Sequence, residues 1–159
     1  MSISYAELSQ RKRQRNGNGV RNVPQVERAS ASARPTFANK IEAVQAMEGA
    51  AFSGDWETFK SFLASDVYYR VGNSVEVRGP QAVVEYTKKM LATELAINDL
   101  QIRSAWEAGN VVILELNMAG LRIPDNKQIS YPCVDVYRFE GDKISDWRVY
   151  AIEPTFVVS

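Results

Sequence analysis

"SYPCVDVYRFEGDKISDWRVY", residues 130–150, reads as two β-strands joined by the turn Glu140-Gly141-Asp142-Lys143. Starting one residue earlier, alternate positions of the first strand are Ile129, Tyr131, Cys133, Asp135, Tyr137 and Phe139. This is an apolar and aromatic stripe with one carboxylate in its middle. The opposite face carries Ser130, Pro132, Val134, Val136 and Arg138. The odd face buries more area if it is turned toward a core, and that orientation puts Asp135 inside. An ionised, unpaired carboxylate is costly there. Desolvation raises its pKa, so Asp135 is expected to hold its proton and act as a hydrogen-bond donor, suited to a developing oxyanion. A structural alternative stays open: Asp135 paired with an arginine or a tyrosine hydroxyl, or placed on an open sheet face.

Outward from this pair, the pattern predicts strands at about 98–107, 110–123, 128–139 and 143–153. Their connections, "EAGN", "IPDNK" and "EGDK", are short and turn-like, so the four strands form an antiparallel meander. In the second of them Val112, Leu114, Leu116 and Met118 share one face, while Glu115 and Asn117 share the other. In the last, Trp147, Val149 and Ala151 point inward. Three helices precede the meander. Asn39 and Glu42 have capping-box spacing, and Ile41, Val44, Met47, Ala50 and Ala51 follow helical periodicity. Asp55 caps a second helix with Trp56, Phe59, Phe62 and Leu63 on its apolar face. "DVYYRV" and "SVEV" read as strands, and Gly79-Pro80 opens a third helix with Val83, Val84, Tyr86, Met90 and Leu91 on its buried side. The fold class is α+β: three N-terminal helices packed on a curved, mainly antiparallel sheet.

The chain has 159 residues and no net charge, but the charge is unevenly spread. Residues 1–40 hold 8 Lys/Arg against 2 Asp/Glu, and residues 41–159 hold 11 against 17. The division expected is a flexible basic arm at 1–36 and one folded domain at 37–159. Arg11, Lys12, Arg13 and Arg15 of the arm would bind a protein partner; nucleic acid is disfavoured because the body is acidic. The single cysteine fits a reducing, cytoplasmic compartment, although an Arg/Ser-rich, acid-poor N-terminus also has the character of an organelle transit peptide. There is no histidine, which removes His-based triads, bases and metal sites, and no apolar run is long enough to span a membrane. Neither a metal nor a cofactor is expected.

The helices, the "GDWETFKSFLASDV" link, the "VRGP" entry to helix three and the closing "VDVYRFEGDKISDWRVY" together resemble the NTF2-like superfamily, in its SnoaL-like and ketosteroid-isomerase-like branch, over roughly residues 38–155. The resemblance implies a cone that encloses an apolar pocket, and homodimers are common in such families. "Asp135-Val136-Tyr137-Arg138-Phe139" falls on the isomerase motif that carries the oxyanion-hole acid. The departures are equally specific. Val71 stands where the isomerase has its general base, and Met47 near its helix-one tyrosine. Limonene-epoxide hydrolases use an Arg and two acids at positions held here by Leu116, Met118 and Val149. Scytalone-dehydratase sites and the Asp/His pair of SnoaL-type cyclases need histidine. Tyr69, in register with Val71, is a weak substitute near the missing base.

The expected pocket is lined by Tyr69, Val71, Leu114, Leu116, Met118, Tyr131, Cys133, Tyr137 and Trp147, around Asp135. It suits a small hydrophobic molecule and a cofactor-independent isomerase, cyclase or hydrolase. The other reading is a non-catalytic subunit that docks on a partner complex through its basic arm.

Overall fold

The computed structural model describes residues 37–151 and 155–156. The basic arm at 1–36, with Arg11, Lys12, Arg13 and Arg15, lies outside them.

Helix α1 spans Lys40–Ser53. Asn39 caps it in extended geometry, its side-chain oxygen accepting from the Glu42 N–H at 2.9 Å. The reciprocal half of the expected capping box is displaced by one residue: the Glu42 carboxylate accepts from the Ala38 N–H at 3.0 Å. Gly54 closes the helix in the left-handed region at φ 73°, its N–H reaching the Ala50 and Ala51 carbonyls. Asn39→Ala is expected to cost about 1 kcal/mol of stability, measured by urea unfolding. An unchanged midpoint would mean the cap does not hold this helix.

Helix α2, Trp56–Ser61, is shorter than the apolar face Trp56 to Leu63 predicts. The reason is competition from the sheet: the Phe62 carbonyl accepts from the Ile144 N–H at 2.9 Å, and Leu63 already pairs with Ile144 as the first residue of strand β1, Leu63–Val71. Strand β2 is reduced to Val77–Arg78. Gly79 and Pro80 then start helix α3, Pro80–Thr93, which buries Val83, Val84 and Thr87.

The meander follows as β3 Leu95–Ala108, β4 Val111–Arg122, β5 Lys127–Glu140 and β6 Lys143–Ala151. All of its neighbouring pairs are antiparallel, and β1 adds to β6 in parallel. The spatial order is β2-β1-β6-β5-β4-β3. The end of the last expected strand, beyond Ala151, lies outside the described residues, and a two-residue β7, Thr155–Phe156, pairs with β5 at Ile129 and Ser130. Two register shifts in β3, between Ile97 and Asp99 and between Ile102 and Ser104, bend that long strand.

The helices cover one face of this curved sheet. In β5 the odd positions from Ile129 to Phe139 are all buried, so the alternation read from the sequence holds along its whole length. Val44, Met47, Phe59 and Val83 come down from the helices to meet Leu114, Tyr137 and Ile144, and all seven are shielded from solvent. Burying each large apolar side chain contributes about 1.5–3 kcal/mol before conformational entropy is subtracted.

Candidate functional site

Asp135 sits in β5 between Leu114 of β4 and Val149 of β6, with only 4% of its surface exposed. The Trp147 indole N–H donates to Asp135 Oδ2 at 3.1 Å. Tyr137 Oη lies 3.0 Å from the same oxygen and 2.6 Å from Oε1 of Glu48, which reaches down from α1. Glu48 is as enclosed as the hydrophobic residues around it. The three groups form a buried chain, Glu48–Tyr137–Asp135.

A proton count limits how this chain works. A phenol has one proton and can donate only once. For both contacts of Tyr137 to be hydrogen bonds, one carboxyl must supply a second proton. Burial raises Glu48 from 4.5 to about 8; the nearby Asp135 charge adds to this, and the Tyr137 bond opposes it. Burial also raises Asp135, but only to about 6, because the Trp147 and Tyr137 bonds favour its charged form. Glu48 is lifted the further of the two, which favours the arrangement in which Glu48 donates to Tyr137 and Tyr137 donates to Asp135. The Trp147 N–H makes Asp135 Oδ2 an acceptor whichever acid holds the proton. Its other oxygen, Oδ1, is buried with no hydrogen-bond partner.

Asp135 and Glu48 both border a cavity of about 90 Å³ between α1, α3 and the inner face of the sheet. Of the residues expected there, Tyr69, Val71, Leu116, Met118, Tyr131 and Trp147 line it. Leu114, Cys133 and Tyr137 do not: they are packed in the core, and Tyr137 acts through its hydroxyl instead. Burial, with Asp135 and Glu48 nearby, drives the Tyr69 pKa well above the usual phenol value, so its hydroxyl keeps its proton at neutral pH. Tyr131 is pushed up to about 12, and burial likewise raises the Cys133 thiol, so neither is a nucleophile at neutral pH. The rings of Tyr69 and Trp147 meet at 4.4 Å between centroids, and Tyr137 stacks on Trp147 at 5.4 Å. Two polar lining residues, Glu48 and Thr87, escaped the sequence reading, as did apolar ones such as Phe52 and Ile97. The Thr87 hydroxyl is also buried without a partner.

Stability should follow this chemistry. A carboxyl whose folded pKa is raised stabilises the fold fully below its unfolded pKa, and that contribution is lost as pH rises through the folded value. The melting temperature is therefore expected to fall between about pH 5 and pH 8, the span set by Glu48 and Asp135. Glu48→Gln should flatten that slope in calorimetry; an identical slope in the variant would remove Glu48 as the proton holder.

Sheet, helices and enclosed acid together define an NTF2-like α+β module. The chain belongs to the SnoaL-like domain family, whose model matches residues 43–147. Solved structures share the fold at low identity. A ketosteroid-isomerase-like protein from Catenulispora acidiphila, in complex with trimethylamine, is 19% identical, with a TM-score of 0.61 over 69% of this chain and 84% of its own. An LEH-like epoxide hydrolase from M. tuberculosis is 21% identical, with a TM-score of 0.59 over 70% of this chain and 81% of its own. An NTF2-like protein from Burkholderia pseudomallei is 16% identical, with a TM-score of 0.66 over 73% of this chain and 92% of its own. A search of curated proteins finds no match.

Proposed function

We propose that this protein holds one small, largely apolar molecule in the cavity beside Asp135 and exchanges a proton with it there, as a cofactor-independent enzyme of isomerase, cyclase or hydrolase type. The observation that carries this reading is the division of labour within one carboxylate. Asp135 Oδ2 is fixed by Trp147 and Tyr137, while Oδ1 is buried, unpartnered and part of a group that lines the cavity. A general base works best with a pKa near the working pH, and burial has lifted Asp135 to about 6. Glu48, through Tyr137, holds the proton that keeps the second bond to Asp135 in place.

The cavity size limits the substrate. An apolar cavity of about 150 Å³ accepts a benzene ring. At about 90 Å³, this one admits a smaller molecule, and a fused-ring ligand would require its walls to move. Leu116, Met118 and Val149 leave no polar group where epoxide hydrolysis of the resembling type would need three.

Native mass spectrometry of protein purified gently from its own host is the test. A bound adduct in the wild type that is lost in Asp135→Leu is expected. Incubated with the recovered compound in D₂O, the wild type should incorporate deuterium into it and Asp135→Asn should not. A compound that binds both proteins and exchanges equally fast with each would end the proton-transfer reading.

A further inference from the structure

Two carboxyl groups border the cavity, and among the described residues no cation faces them. With the single carboxyl proton that both Tyr137 contacts require, the Glu48–Tyr137–Asp135 chain carries one negative charge. No lysine or arginine is among the described residues that line the cavity, and no ion pair joins Asp135 or Glu48 to a cation among the described residues. Apart from Asp135, Glu48 and Thr87, the lining is aliphatic and aromatic. A carboxylate in such surroundings is expensive unless something positive accompanies it.

We propose that the natural occupant is a small organic cation, an alkylammonium of about three or four non-hydrogen atoms, with Asp135 as its counter-ion and Tyr69, Tyr131 and Trp147 as its aromatic walls.

Each part of the cavity fits that class. Aromatic rings attract cations through the negative potential of their faces, and desolvation strengthens the effect. The methyl or methylene surface of an alkylammonium suits walls made of Leu116, Met118 and Val149. The free Asp135 Oδ1 gives the charge a direct partner, and the unpartnered Thr87 hydroxyl can take a polar substituent on the same molecule. A metal ion fits poorly. Hard cations require six or more oxygens, and the described residues contain no cluster of three or more metal-ligating side chains. The inference rests on the reading of this cavity as a ligand site and adds the ligand's charge to it. A bound cation would also hold Asp135 in its ionised form, the form that accepts a proton.

Calorimetric titration of the full chain with dimethylammonium chloride, and separately with ethanol, tests it. The two probes have the same number of non-hydrogen atoms, are smaller than benzene and differ in charge. Saturable binding of dimethylammonium at least tenfold tighter than ethanol is expected, and Asp135→Asn should abolish that preference. Comparable or tighter binding of ethanol would overturn the cation inference and leave the ligand pocket standing. Binding of neither probe would overturn both. The wild-type comparison decides the matter even if Asp135→Asn does not fold.

Discussion

Tyr137→Phe is expected to lower the melting temperature by about 10 °C, corresponding to a loss of about 3 kcal/mol. Little volume changes, so packing is not the cause. Among the described residues, the hydroxyl is the one group that meets both buried acids, at 2.6 Å to Glu48 and 3.0 Å to Asp135. Without it Glu48 loses its hydrogen bond and Asp135 keeps only Trp147. Two carboxyls then share an apolar interior without a bridge, which costs more than a surface hydrogen bond because neither can reach water. Pairing the change with Glu48→Leu should recover part of the loss by removing one orphaned acid. Thermal denaturation of the two variants is the measurement. A single variant as stable as the wild type would mean the phenol does not join the acids.

Gly120→Ala should be at least as damaging, at about 3 kcal/mol. Gly120 falls on the inward phase of β4, paired with Ile97 and Ile129. A Cβ built there would stand 2.2 Å from the Ala96 carbonyl oxygen and 3.0 Å from the Ile97 Cα. Both obstacles are backbone, so no rotamer change relieves them. The variant can fold only by moving β3 away beside its first register shift, where Leu95 and Ile97 line the cavity. Loss of ligand binding should accompany the loss of stability. A variant that melts like the wild type would show that β3 yields easily.

The parts legible in the sequence are those with a local signature. A period of two along 129–139 placed Asp135 inside, because one register slip would have exposed four large side chains to water. The helical period showed the buried side of α1 but not the acid on it. Glu48 lies four residues after Val44 and three before Ala51, so it shares their face, and that spacing was the available signal. Thr87 is the same case on α3, between Val84 and Met90. The surroundings of Asp135 could not be read without Glu48. Burial alone raises an acid's pKa, and a second buried acid joined to it through Tyr137 competes for the proton. The β1–β6 pairing and the cavity volume leave no local trace, since both depend on residues far apart in the chain.

That pairing has a kinetic consequence. The meander from β3 to β6 can zip up through three short turns, each closing a small loop. Strand β1 joins β6 only by closing a loop of about eighty residues, which carries a larger entropy cost. The aromatic wall is split across this seam: Tyr69 comes from β1 and Trp147 from β6. The pocket is complete only once that long-range docking step has been made. A ligand that binds it selects chains that have completed that step, and amide exchange in β1 should slow more than in the β4–β5 hairpin when the pocket is filled.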